Sequence, residues 1–299
     1  MRFKNELPKK LAIAVCCHFN ESRLIYLNRI SDEFVELGAQ VKVIIVTNTF
    51  KEDELAKIEA VLSGKGFEFE FLMPNILGHP LLLTWIHFAV FKELLSEDSW
   101  THFMYLEDDT LITKENIKFW IEGRELLRPY QLIPSFLRGE RKVNNPQWYC
   151  SDCPNPLFFY SLPRIRVDEN LGFINIPGLY QGMYLMDRQL MTEFFEGPAY
   201  NPNFGIWGIQ EKAAQGITFL NVPNGYSNRN LIPYKLDSHQ VDERCIIHHL
   251  PNNYAEPGPG GKVVKTVPVQ QLLSEWPTKA FLILKLLKTI FEPRLNAIR

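Results

Sequence analysis

The stretch Thr101-His-Phe-Met-Tyr-Leu-Glu-Asp-Asp-Thr110 decides how the chain is read. Its apolar-leaning run suits a buried strand and ends abruptly in three consecutive carboxylates, Glu107, Asp108 and Asp109. Three adjacent acids repel one another, and a buried strand end solvates them poorly, so a positive charge is expected beside them. A divalent cation is the simplest candidate, because hard cations prefer carboxylate oxygen. Alternation along a strand sends Glu107 and Asp109 to one face and Asp108 to the other. An acidic turn ahead of the helix that Lys114-Glu115-Asn116 opens would account for the same letters without a metal.

Working outward, Leu11–Cys17 and Val41–Thr47 read as buried strands and Phe67–Leu72 as an alternating one. Helices are expected over Ser22–Leu37, stopped by Gly38, over Lys51–Leu62, and over Pro80–Leu95. This alternation predicts an α/β fold with a Rossmann-like, mostly parallel central sheet and helices on both faces. Ligands collect beyond the carboxyl ends of such strands. His18-Phe-Asn20-Glu follows the first strand, Thr47-Asn-Thr ends the second, and the acidic trio would share their rim. Further on, Gln131–Phe136 reads as a strand and Asn144–Pro163, rich in Pro, Asn and aromatics, as a substrate-facing loop. Tyr184–Asp187 reads as a strand, Arg188–Phe195 as a helix, Trp207–Ala214 as the start of another, and Ile217–Val222 as a strand.

Composition excludes some roles. The formal net charge is -2 and the basic residues are scattered, which gives no electrostatic case for a nucleic-acid partner. Five cysteines are an odd number and no disulfide framework, which favours a reducing, cytoplasmic compartment. Cys150-Ser-Asp-Cys153 has no second pair to complete a structural zinc site, and it lies in a loop and not at a helix start. The basic N-terminus leads into Leu11–Cys17, better explained as a first core strand than as a signal peptide. No segment is long enough to span a bilayer. Pro257-Gly-Pro-Gly-Gly-Lys262 reads as a flexible break. Beyond it, a helix over 279–291 carries a narrow stripe of Lys285, Lys288 and Glu292. Such a helix docks on the protein or makes a peripheral membrane contact.

Four segments then fall in a familiar order: the βαβ start with Tyr105-Leu-Glu-Asp-Asp-Thr110, Tyr180-Gln-Gly-Met-Tyr-Leu-Met-Asp-Arg188, Phe204-Gly-Ile-Trp-Gly-Ile-Gln-Glu211, and Cys245-Ile-Ile-His-His249. The chain resembles a GT-A-type glycosyltransferase, a nucleotide-sugar-dependent class with an Asp-x-Asp-like metal motif. The match covers most of residues 11–255, by pattern and not by close identity. It implies one GT-A-like domain over 1–255, with a nucleotide-binding half at 11–110 and an acceptor half at 111–255. Residues 256–299 would form the flexible segment and a C-terminal helical extension.

By that resemblance Asp109 is a metal ligand, and Glu107 and Asp108 support contacts to the metal and the sugar nucleotide. A late histidine adds a ligand; successive strand residues face opposite ways, so one of His248 and His249 serves, and His249 is preferred. His18, Asn20 and Thr47 would contact base or ribose, or simply cap the following helices. Glu211 falls where inverting members place their general base, although here Lys212 follows it where an acidic pair is common. Trp207 would stack on a sugar or lie in the core, and Lys262 or Lys265 would close over phosphates or keep a loop soluble. The cofactor would be Mn²⁺ or Mg²⁺, with one imidazole tilting the choice towards Mn²⁺. The donor would be a nucleoside diphosphate sugar, and the acceptor a hydroxyl on a glycan, a lipid-linked molecule or a small molecule.

Two other readings stay open. A nucleotidyltransferase would also use acids and a metal, although Cys16-Cys-His-Phe-Asn20 contains no Gly-rich phosphate loop. A non-catalytic nucleotide-binding protein of the same fold would tolerate the lysine after Glu211.

Overall fold

Strands β1 (Lys10–Cys17) and β2 (Gln40–Thr47) are aliphatic almost throughout and buried along their length, as strands covered on both faces must be. The structure, a computed structural model, describes residues 7–75, 78–257 and 264–277. With β3 (Glu68–Leu72) and β4 (His102–Glu107), these strands form a parallel sheet in the order β3-β2-β1-β4. The helices are α1 (Leu24–Ser31), α2 (Glu52–Leu62), α3 (His87–Ser96), α4 (Lys114–Leu127), α5 (Arg188–Glu196) and α6 (Ile209–Gln215). Right-handed crossovers from β1 to β2 to β3 put α1 and α2 on one face. The return from β3 to β4, beyond β1, puts α3 on the other. In agreement, α1 touches α2, and α3 touches α5.

The remaining strands build outward from the acidic end of β4. They are β5 (Thr110–Leu111), β6 (Ile133–Pro134), β7 (Leu137–Lys142), β8 (Asn145–Cys150), β9 (Leu157–Phe158), β10 (Arg164–Arg166) and β11 (Leu171–Ile174). Then come β12 (Met183–Asp187), β13 (Asn230–Lys235), β14 (Ile246–His249), β15 (Val267–Pro268) and β16 (Leu273–Ser274). Strand β12 adds antiparallel to β4 and closes that side of the central sheet. A second sheet runs β15-β8-β7-β14-β5 and a third β10-β11-β13-β6. Strand β5 follows directly on the acids, so the second sheet is joined to the carboxyl end of β4.

Several expectations are corrected. The helix over Ser22–Leu37 is broken into a 3-10 turn at Glu21–Arg23, then α1, then a 3-10 turn at Phe34–Glu36. Asn20 Oδ1 accepts from the Ser22 amide at the start, and Ser31 Oγ donates back to the Asn28 carbonyl, competing with the helical ladder. Pro80–Trp85 is likewise 3-10, and α3 starts after it. The Asn144–Pro163 segment is not one open loop: β8 pairs antiparallel with β7, and β9 pairs with β16. Only Ile133–Pro134 of the strand expected at 131–136 is paired, since Gln131 is left-handed (φ 58°) and Pro134 has no amide to donate. Ile217–Val222 is a series of turns between left-handed Gly216 and Asn221. The packed body also runs past residue 255. Val267, Val269 and Leu272 are buried, and β15 and β16 pair with β8 and β9. Lys262 and the expected helix at 279–291 lie outside the described residues. Among the described residues no helix is long and apolar enough to cross a membrane. All five cysteines are free.

Candidate active site

The chain turns at Asp108 and Asp109, and β5 then pairs antiparallel with β14, placing Thr110 opposite His249. The Leu250 amide donates to the Asp109 carbonyl at 2.9 Å and locks this corner. His249 Nε2 lies 3.5 Å from Asp109 Oδ2. The other ring nitrogen, Nδ1, is 2.5 Å from Oε1 of Glu140, a fully buried carboxylate on β7. His248 faces the other way, against Trp148 and the Asn252 side chain. Tyr254 stacks on the His249 ring at 5.4 Å.

The cation nearest the acids is Arg23, from the turn after β1. Its Nη2 donates to Asp108 Oδ1 and, at 2.8 Å, to Asp109 Oδ2. Glu107 accepts from the Tyr180 hydroxyl at 2.5 Å. Gly182, left-handed at φ 67°, lies so close to Glu107 that a Cβ there would meet Oε2 at 2.7 Å. Behind Tyr180, Arg138 is paired with Asp152 at 2.8 Å, and its guanidinium lies over the rings of Tyr180 and Tyr254.

These environments tune the acids differently. Burial pushes the Glu107 carboxyl up to about 7, against the Tyr180 hydrogen bond. Burial likewise outweighs Arg23 at Asp108, which is raised. At Asp109 burial is overcome by His249 and Arg23, and the carboxyl is held below its ordinary value. Burial would lower His249, but Asp109 and Glu140 outweigh it and the imidazole is raised. Of the three acids, Asp109 is the one whose surroundings favour the charged form.

A cleft of about 300 Å³ opens beside the acids, lined by His18, Asn20, Arg23, Glu107 and Asp108 among others. Asn20 also caps the next turn, as one of the two sequence readings had it. Thr47 is fully buried and does not line the cleft, which corrects its assignment to base or ribose. Glu211 sits in the first turn of α6, folded back over Gly208. Its neighbour Gln210 lines the cleft. The Lys212 ammonium is tied to the Pro202 carbonyl at 3.0 Å, not to Glu211. Trp207 is half-buried and stacks on Phe219. Lys265 is bonded to Asn155.

Sequence reasoning missed Arg23, Arg138, Glu140 and Asp152. Arg23 carries no local signal. Leu137-Arg138-Gly139-Glu140 does: two opposite charges at alternate positions share one face of a strand.

Asp109 Oδ1 is buried and has no hydrogen-bond partner. A bare carboxylate oxygen beside an imidazole held from behind by a carboxylate suits a divalent cation. No group of three or more His, Cys, Asp or Glu among the described residues could hold a metal unaided. Two protein ligands fit Mg²⁺ or Mn²⁺ completed by substrate phosphates and water, as Mg²⁺ usually is.

No family model matches the chain, and no curated protein matches it. Among solved structures, it is similar to S. aureus TarS 1-349 with 12% identity and a TM-score of 0.38 over 69% of this chain. The match spans 56% of that structure's chain, just over half its length.

Proposed function

We propose that the chain is a glycosyltransferase that moves a sugar from a nucleoside diphosphate sugar to an acceptor hydroxyl, with a divalent metal held by Asp109 and His249. One observation carries this reading: the unpartnered, buried Asp109 Oδ1 stands at the strand end whose neighbouring acids, Glu107 and Asp108, line an open cleft. When bound, Mn²⁺ or Mg²⁺ supplies Lewis-acid neutralisation of charge on the departing diphosphate. Arg23, already at the acids, adds a second positive charge on the same side. His18 and Asn20 are exposed at the cleft and meet the nucleoside end of the donor. Glu107 is fixed by Tyr180 and Gly182 and positions the donor sugar. Glu211 takes the proton of the attacking hydroxyl as general base, which implies inversion at the anomeric carbon. With Lys212 drawn to Pro202, nothing on α6 ties up that carboxylate as an ion pair.

The test is release of nucleoside diphosphate from a panel of sugar nucleotides with Mn²⁺, Mg²⁺ or EDTA, beside an Asp109→Ala control. Slow metal-dependent release from one donor, absent in the control, supports the reading and identifies the sugar. If no donor is turned over and no nucleotide or metal changes thermal stability, the reading falls.

A further inference from the structure

Glu140 is the most deeply buried carboxylate next to the proposed metal, and its hydrogen bonds run in one direction. Oε2 accepts from the Tyr254 amide at 2.9 Å and the Ala255 amide at 2.6 Å. Oε1 faces His249 Nδ1 at 2.5 Å. A carboxylate that receives two amide protons on one oxygen is an acceptor, so Nδ1 carries a proton and donates it. In the neutral ring the lone pair is then on Nε2, the nitrogen aimed at Asp109.

We infer that Glu140 is a positioning residue that fixes the His249 tautomer, so that Nε2 is presented to the metal and Nδ1 is not. The inference rests on the proposed donor site. It gives a role to an acid with no exposed surface on β7: the same side chain clamps the chain after β14 and orders the ring stacked under Tyr254.

Glu140→Gln makes the inference testable, because an amide has only one acceptor end. The Tyr254 and Ala255 amides can be satisfied only by the glutamine oxygen. Its NH₂ group then faces His249 and can only donate, so Nδ1 becomes the acceptor and the proton moves to Nε2. The metal loses its imidazole while the shape of the site is kept.

Mn²⁺ binding is titrated by electron paramagnetic resonance in wild type, Glu140→Gln and His249→Ala, and nitrogen hyperfine coupling to the bound ion is recorded. The expected result is coupling in wild type and its loss in both variants, with affinity falling about 10- to 100-fold in Glu140→Gln, the usual cost of losing an outer-shell partner, and at least as far in His249→Ala, which removes the ligand itself. Glu140→Gln that keeps both coupling and affinity overturns the inference and leaves the metal reading standing. Wild type that binds no Mn²⁺, or binds it without nitrogen coupling, overturns the His249 assignment and the inference together. Should Glu140→Gln fail to fold, wild type with isotope-labelled histidine is loaded with Cd²⁺ and followed by NMR. Cadmium coupled to Nε2, with the proton kept on Nδ1, supports the inference; coupling to Nδ1 overturns it.

Discussion

Arg23 Nη2 lies 2.8 Å from Asp109 Oδ2, so the acid proposed to hold a metal is already paired with a cation of the protein itself. The same nitrogen holds Asp108, and the two carboxylates would otherwise face each other with little water between them. Replacing Arg23 by Met should therefore destabilise the metal-free protein. Truncating one partner of a buried pair costs about 3–5 kcal/mol, but Arg23 is 36% exposed, which reduces the expected loss to about 1–2 kcal/mol. Mn²⁺ should restore most of it. Urea unfolding with EDTA and with Mn²⁺ measures both numbers, and an equal loss in the two conditions would mean that no cation reaches these acids.

Gly182→Ala should damage the site by two routes. Its left-handed backbone costs a side chain about 1–2 kcal/mol, and the added Cβ would push Glu107 Oε2 out of place. Gly178 has a similar φ of 75° with nothing within 4 Å of its Cβ position, so Gly178→Ala carries the strain alone. Thermal stability should fall in both variants, whereas affinity for the sugar nucleotide should fall only in Gly182→Ala. Equal donor affinity in the two would show that Glu107 does not touch the donor.

Acid should unfold this protein partly through His87. Burial lowers its pKa from 6.5 to about 3, in a setting of Tyr184, Phe88, Phe91 and Tyr105. The unfolded chain then binds a proton that the folded one refuses. Stability is full above pH 6.5 and is lost as pH falls towards 3, with a slope of about 1.4 kcal/mol per pH unit for one such group. His102, lowered to about 4 by burial, adds to the slope over the upper part of that range. Denaturant unfolding at several pH values between 6.5 and 4 should show a flatter profile for His87→Phe than for wild type. Identical slopes would mean that His87 is charged in the folded state.

Glu211→Gln should lower kcat by about 10²–10⁴-fold and leave the KM for the donor nearly unchanged, since a general base acts on the acceptor proton. Lys212→Met should change neither, because the ammonium serves the Pro202 carbonyl. Steady-state kinetics with the identified donor and acceptor separates the two. A kcat for Glu211→Gln within a few fold of wild type would remove Glu211 as the base.

Much of the architecture could be read locally. A parallel strand buried on both faces must be aliphatic throughout, which is why Leu11–Cys17 and Val41–Thr47 are legible as letters. Failures came where short-range hydrogen bonds or left-handed residues overrode periodicity, as at Ser31, Gln131 and Gly216. The 144–163 segment was misread for another reason. Strand β8 is the return arm of a tight hairpin from β7, which a segment cut at Asn144 splits, and the strands β15 and β16 that pair with β8 and β9 lie far along the chain.

The site divides along the same line. Sequence alone determined that three carboxylates end a buried strand at the rim where such sheets bind ligands, because burial periodicity and adjacency are properties of the chain order. Alternation required that one of His248 and His249 face the site, and the preference for His249 had no geometry behind it. Only the tertiary structure decided that β14 runs beside β5 and turns His249 to Asp109, that Arg23 balances the acids, and that Glu140 backs the ring. These relationships join β1, β4, β7 and β14, and such long-range pairings are fixed by packing three-dimensional faces together. No local pattern of side chains records which distant faces will meet.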